Sequence, residues 1–289
     1  MSEYSKQSSA EKPLVVLKVG GDIIADTAQR TGLASNIQQL VSHGWNAIVL
    51  HGGGPQVSQQ QAKLGIEPRK VGGRRITSTE DLQLVKHVIC GELNVDLVAH
   101  LQAAGVNAFG CHGASGQLIT AVKRTPTVVS GGGPEPIDFG EVGDVTGINA
   151  GLLQHLLAAD TVPVIASLGC NASGEVFNIN ADTTVVQITR AMSADLLVLV
   201  SAVGAIFENI DDPSTRIGSI DRALATQHIK NGVVSEGMIP KVEEALTLAE
   251  ETETQVVIAN MLEPDTLLSI SAGKNTVGTR IAGTRIASR

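Results

Sequence analysis

Aromatic side chains are nearly missing from this sequence of 289 residues: one Trp, one Tyr and four Phe make up 2% of it. A core without them has to be built from Val, Ile, Leu and Ala, a composition that suits parallel strands covered on both faces by helices. Cysteine is scarce too. Cys90, Cys111 and Cys170 are far apart and odd in number, so neither a disulfide framework nor a paired metal-ligand spacing is present, and a reducing cytoplasm is the expected setting. No apolar run is long enough to cross a bilayer. Positive charge is also short: 21 Lys and Arg stand against 29 Asp and Glu, a net charge of −8, which argues against a nucleic-acid-binding surface. Met1 to Pro13 is polar, has no apolar signal segment, and is expected to be a flexible arm. The histidines show no metal-ligand spacing, and no G-x-S-x-G nucleophile pattern occurs.

What the chain does have is alternation of short apolar runs with amphipathic segments. Leu14–Val19 and Ala47–Leu50 read as strands, each running into glycines: Gly20-Gly21 and Gly52-Gly53-Gly54. Pro55 comes where a helix would start, a position that tolerates its missing N–H. Apolar residues from Leu82 to Leu101 recur with helical spacing, so one helix is expected over Thr79 to Leu101. Between Gly110 and Val145 the pattern changes to short β-like pieces at Leu118–Val122 and Thr127–Ser130, expected as hairpins over one end of the sheet. Alternation resumes with strands at Val162–Ala166, Asp195–Ser201 and Gln255–Ala259 and helices at Ala181–Met192 and Pro240–Glu251. The fold class is α/β: a three-layer αβα sandwich with a mainly parallel central sheet. After the arm (1–13), one continuous fold is expected in two lobes, 14–175 and 176–289.

Several residues are misplaced unless they serve chemistry. Two glycine clusters at strand carboxyl ends can turn bare amides toward an anion, although one cluster alone reads equally well as a tight turn. Neither matches G-x-x-x-x-G-K-[ST] or G-x-G-x-x-G, which disfavours a P-loop or a dinucleotide site. Lys18 sits inside the apolar run beside Gly20; a buried lysine is costly without an anion, and snorkelling is its bland alternative. Lys241 falls in the first turn of a helix, where the dipole favours acids. Asn180 and Asp182 open another helix as cap and first-turn acid, and beside two lysines Asp182 becomes the carboxylate to hold them. Arg74 and Arg75 come directly after Gly72-Gly73. A guanidinium there suits a carboxylate, against a bland reading as a solvated basic loop. His51 adjoins the second glycine cluster and is read as orienting it.

Taken in order, these segments resemble the amino-acid kinase family from about Leu14 to Ile281, and within it the members that phosphorylate N-acetyl-L-glutamate. Lys18-Val19-Gly20-Gly21 and His51-Gly52-Gly53-Gly54-Pro55 are similar to the family's two phosphate loops. Gly73 to Thr77, Asp138 to Thr146, Asn178 to Asp182 and Gly237 to Val242 resemble further segments. The resemblance implies ATP and Mg²⁺ as cofactors, and phosphorylation of the substrate's side-chain carboxylate in arginine biosynthesis. It implies that Lys18 and Lys241 neutralise the transferring phosphoryl group and that Asp182 organises both. Gly53, Gly54, Arg75 and Asn178 would bind the acyl amino acid in the N-terminal lobe. Gly20, Gly21, the run Ala202, Val203, Gly204, Ala205, Ile206, Phe207, and Val233, Val234 and Ser235 would meet the nucleotide.

One segment departs from the family pattern. Ala202 stands where the family has an Asp, and Ala205 where it has a turn glycine, which puts the nucleotide contacts in question and makes Glu208 a candidate substitute. Two other readings stay open on this departure and on substrate choice: a sister kinase with another carboxylate acceptor, such as a carrier-linked aminoadipate, and a non-catalytic nucleotide- or metabolite-binding regulator. The short polar N-terminus and the Asp265–Arg280 stretch, which lacks an acidic pattern, imply a homodimer insensitive to arginine. No metal-binding residues are assigned.

Overall fold

The computed structural model describes residues 12–129, 133–234 and 238–283. Its strands are β1 (Leu14–Val19), β2 (Asn46–His51), β3 (Lys70–Val71), β4 (Arg74–Arg75), β5 (Ala108–His112), β6 (Ile119–Lys123), β7 (Val142–Ile148), β8 (Val162–Ala166), β9 (Leu168–Cys170), β10 (Val176–Ile179), β11 (Leu196–Val200), β12 (Ile206–Phe207), β13 (Arg216–Ile217), β14 (Ser219–Ile220), β15 (Gln255–Ala259) and β16 (Thr279–Ile281). The α-helices are α1 (Gly21–Ala25), α2 (Thr27–Ser42), α3 (Gly54–Lys63), α4 (Thr79–Val85), α5 (Asn94–Ala103), α6 (Ala150–Ala158), α7 (Ala181–Ala191), α8 (Arg222–Lys230), α9 (Ile239–Glu251) and α10 (Thr266–Ser271).

Eight strands form one sheet in the order β14-β16-β15-β11-β1-β2-β8-β5. Every pairing in it is parallel except β15 with β16. The central strand β1 is buried along its whole length, as expected of a strand covered on both faces. Its period-2 alternation separates two cores. Val15, Leu17 and Val19 pack with α1, α2, α3, α4, α5 and α10. Leu14 and Val16 pack with α6, α7, α8 and α9. This is the αβα sandwich read from the sequence. The same alternation puts Lys18 on the α7/α9 face at the carboxyl end of the strand. The chain leaves β1 toward β2 on one side and returns later to β11 on the other, so that strand end is a topological switch point.

The middle section is a small closed barrel, β10-β7-β6-β9, rather than projecting hairpins. Leu118–Val122 is realised as β6, shifted by one residue. The strand expected at Thr127–Ser130 reduces to a single bridge between Thr127 and Ile137, and Ser130 lies outside the described residues. The long helix expected over Thr79 to Leu101 also differs: an eight-residue π-helix, Lys86–Leu93, sits between α4 and α5. Apolar spacing could not reveal it, because Val88, Ile89 and Leu93 are buried, the outcome the same spacing predicts for an α-helix. Of the expected N-terminal arm only Lys12 and Pro13 are described, and the Lys12 ammonium pairs with Asp160 at 2.8 Å. Among the described residues no helix is long and apolar enough to cross a membrane.

Asn36 joins distant parts of the chain. Fully buried in α2, its Nδ2 donates to the carbonyls of Gly32, Met261 and Glu263, and its Oδ1 accepts from Leu267 N–H. Asn36→Ala removes these bonds and leaves buried backbone groups unpaired, so unfolding stability is expected to fall by roughly 2–4 kcal/mol. Urea denaturation measures it; a loss under about 0.5 kcal/mol would show that the tie is dispensable.

Candidate active site

Four parallel strands deliver the site from their carboxyl ends: β1 into Gly20-Gly21, β2 into Gly52-Gly53-Gly54, β8 into Ser167 and β11 into Ser201. The first three border a cavity of about 470 Å³ whose wall also carries Arg75, Asn178, Asn180 and Lys241. A smaller recess beside it is lined by Lys18, Asp182, Ser201, Met238 and Lys241. The two glycine loops press together: a Cβ on Gly21 would lie 3.1 Å from Gly53 Cα, and one on Gly53 would strike Leu93 and Ile89 of the π-helix. Glycine is required here by close approach.

Lys18 Nζ lies 2.9 Å from Asp182 Oδ1, with the lysine side chain 10% exposed. The contact is an ion pair without an aligned hydrogen bond, which leaves the carboxylate able to accept more. Asn180 caps α7, its Oδ1 accepting from the N–H groups of Asp182 and Thr183 at 2.8 and 3.1 Å, and so fixes the turn that presents Asp182. Lys241, in the first turn of α9, has its pKa lowered by burial and by the Lys18 charge, while Asp182 and Asp22 oppose the shift. Lys18, Asp182, Lys241 and Asp22 therefore form one electrostatic group, of which the sequence context suggested the first three.

Arg75 stands on the cavity wall in β4. Its Nη2 donates to Gly54 O at 2.9 Å and Ser58 Oγ at 2.7 Å, and its Nη1 to Gln61 Oε1. Gln61 is itself oriented by Asp81, which closes a capping box with Ser78 at the start of α4. Burial lowers the guanidinium pKa and Asp81 opposes that; arginine remains cationic throughout. Asn178, on β10, donates from Nδ2 to Thr77 Oγ1 at 3.0 Å. Thr77 is gripped in turn by the Phe139–Glu141 segment, where Gly140 (φ 69°) leaves no room for a Cβ against Thr77 O.

His51 is fully buried and backs the second glycine loop. Burial pulls its pKa to about 4, so it is neutral. Nδ1–H donates to Gly52 O at 2.9 Å, and Nε2 accepts from Asn94 Nδ2, which also donates to Val164 O. The loop-orienting reading thus has a defined geometry.

The nucleotide residues expected beyond β11 are placed less directly. Ala202 and Val203 are exposed, Gly204, Ala205 and Ile206 are buried, and Phe207 is half-buried. Ile206 and Phe207 pair with β13, and Ile206 N–H donates to Thr279 Oγ1. None of the six borders either cavity; Ser201 does. The left-handed turn is made by Gly204 (φ 83°), not at Ala205, so the alanine causes no backbone strain. Glu208 is exposed, with its N–H bonded to Thr215 O, and lines neither cavity. Val233 is half-buried and Val234 buried against the α7/α9 core; Ser235 lies outside the described residues. Residues not singled out from sequence also reach the site: Asp22, Arg124 and Ser167 on the larger cavity, Met238 on the smaller. Ser167 sits just past a strand carboxyl end, a signal that was available. Arg124 had none.

A metal cage built from side chains alone is absent: among the described residues no group of three or more His, Cys, Asp or Glu side chains comes together. The cysteines are free, and burial pushes Cys90 to about 11 and Cys111 to about 12, which makes them inert thiols at neutral pH.

Because unfolded His51 binds a proton near pH 6.5 and folded His51 only near 4, the unfolded state holds more protons between these values, and stability falls as pH drops through that window. Urea unfolding at pH 6.5 and pH 5 is expected to show a loss of about 2 kcal/mol from this group. His51→Gln should flatten the slope by that amount. An equal slope in both proteins would remove the assignment.

Residues 13–260 match the model of the amino acid kinase family. An acetylglutamate kinase of Anaeromyxobacter dehalogenans is 43% identical over 266 residues, covering 92% of this chain and 98% of that one. One from Sorangium cellulosum is 42% identical, with 94% and 98% covered. A crystal structure of a Streptococcus mutans protein superposes with a TM-score of 0.75 at 26% identity, covering 94% of this chain and 99% of that one. The chain belongs to the amino acid kinase family.

Proposed function

We propose that the protein transfers the γ-phosphoryl group of ATP to the side-chain carboxylate of N-acetyl-L-glutamate, giving N-acetyl-L-glutamyl 5-phosphate for arginine biosynthesis. The observation that carries this reading is a single cavity with a guanidinium suited to a carboxylate at Arg75 and a Lys18–Asp182–Lys241 group beside it. The full-length likeness to acetylglutamate kinases supports the choice of substrate.

In this reading Arg75 pairs with the α-carboxylate and Asn178 orients the substrate backbone. Gly53 and Gly54 lie between the acceptor carboxylate and the γ-phosphate, and Gly20 and Gly21 turn amides toward the phosphates. A carboxylate oxygen attacks the γ-phosphorus, the bond from phosphorus to the β,γ-bridging oxygen breaks, and ADP leaves. The attacking carboxylate is already ionised, so no general base is needed. Lys18 and Lys241 neutralise charge on the transferring group, and Asp182 keeps both aimed.

Mg²⁺ bound mainly by phosphates and water needs only one or two carboxylates, and Asp182, with Asp22 near, fits that role; it would neutralise phosphate charge. The nucleotide is placed beyond Ser201, along 202–207 and 233–235, with 14–175 taking the acyl amino acid and 176–289 the ATP. We further take the protein to be an arginine-insensitive homodimer. Support for association comes from β5, an edge strand of the sheet that exposes Phe109; a hexamer by light scattering, or inhibition by sub-millimolar arginine, would contradict the reading.

The deciding experiment is ADP release with Mg-ATP and N-acetyl-L-glutamate, with L-glutamate, L-aspartate and carbamate in parallel. Turnover dependent on N-acetyl-L-glutamate is expected; nucleotide binding without turnover on any acceptor would refute it. Lys18→Ala and Lys241→Ala are each expected to slow turnover by at least about a hundredfold. Near-normal kcat in either variant would show its role misassigned.

A further inference from the structure

The barrel puts another guanidinium on the cavity wall. Arg124 comes directly after β6 and lines the cavity, although its side chain is only 14% exposed. Its Nε and Nη2 both donate to Asp144 Oδ1, at 2.8 and 2.5 Å. The guanidinium carbon stands 5.8 Å from the Phe139 ring centroid, and the backbone N–H donates to Val142 O. A guanidinium that is both ion-paired and stacked is held in one orientation before any ligand arrives. Nη1 has no protein acceptor among the described residues.

Arg75 and Arg124 differ in how their charge is met. The groups bonded to Arg75 are all neutral: an amide oxygen, a backbone carbonyl and a hydroxyl. Its nearest acid, Asp81, is reached only through Gln61. Arg75 therefore keeps a charge that suits a carboxylate. The charge of Arg124 is balanced in direct contact by Asp144. Its remaining N–H groups suit a neutral acceptor such as a carbonyl oxygen, and a further carboxylate brought there would meet the Asp144 charge.

We propose that Arg124 is a specificity-determining residue that donates from Nη1 to the acyl carbonyl of an N-acylated acidic amino acid, and that the Arg124–Asp144 pair selects a neutral acyl group over a free α-ammonium or an acidic acyl chain. This rests on the function proposed above. The ammonium of an unacylated substrate would offer Nη1 no acceptor, and this gives the site its reason to require acylation.

Steady-state kinetics on the full chain test it. Arg124→Ala should raise KM for N-acetyl-L-glutamate about ten- to hundredfold, the scale for losing a charged hydrogen bond. The fall in kcat should be smaller, and KM for ATP should stay within about twofold. Arg124→Lys should recover part of the loss, since it keeps a donor but not the planar fork. Asp144→Asn should improve N-succinyl-L-glutamate relative to N-acetyl-L-glutamate by about tenfold, because the guanidinium charge is then unbalanced. A KM for N-acetyl-L-glutamate within about twofold of the parent in Arg124→Ala, or an equal rise in KM for ATP, would overturn the proposal. So would an unchanged succinyl-to-acetyl ratio in Asp144→Asn. Circular dichroism and thermal midpoints establish folding, and if Arg124→Ala does not fold the other two variants decide. A parent protein inactive on N-acetyl-L-glutamate fails the proposed function itself, a result distinct from an active parent whose Arg124 variants match it.

Discussion

The buried charge of Lys18 is the constraint around which the rest is arranged. A lysine at the end of a fully buried strand is tolerable only beside an anion, and the fold supplies one from a segment 164 positions later in the chain, Asp182 at 2.9 Å. Bringing that acid into place takes the Asn180 cap, the packing of α7 on β1, and the parallel pairing of β1 with β11, the strand that α7 leads into. Lys241 then enters on α9, packed beside α7. The two ammonium groups, with Asp182 and Asp22 beside them, then stand next to the glycine loops, where a phosphoryl-transfer site needs its cations.

The sheet explains why such a site assembles here. Parallel strands place all their carboxyl ends on one edge, so loops far apart in sequence become neighbours without long excursions. The barrel is a separate addition over that edge. It contributes Asn178, and also Arg124 and its partner Asp144, so in the proposed function phosphate handling belongs to the sheet and much of the substrate wall to the barrel. The two parts meet where β10 runs into α7, the stretch that carries Asn178, Asn180 and Asp182 within five residues.

Much of this was legible from residue pattern because it depends on local chemistry. The limits of β1, β8 and β15 are set by apolar runs bounded by polar or glycine residues, and Lys18 and Lys241 were visible as local misfits that pointed to Asp182 as their carboxylate. Arg124 was not, since nothing in Val122-Lys123-Arg124 separates a cavity-facing arginine from a solvated one; its role appears only when Asp144 and Phe139 fold against it. The barrel escaped for a similar reason. Its closure depends on β6 and β9 joining in parallel, a pairing between segments with no mark of each other. At Ala205 sequence reasoning marked a departure, and only the backbone could show that Gly204 already makes the turn.

The π-helix behind the second glycine loop has a consequence for how the chain can vary. In π geometry each amide reaches five residues back instead of four, so the helix holds an extra residue per turn of hydrogen bonding. Removing one residue within 86–93 would let the segment relax to α geometry with α4 and α5 close to their present phase, because the π-helix already holds the extra residue. Ile89 and Leu93 lie inside the segment that relaxes, so the side chains that back Gly53 would shift. The length of this segment is thereby coupled to the shape of a loop more than 30 positions upstream.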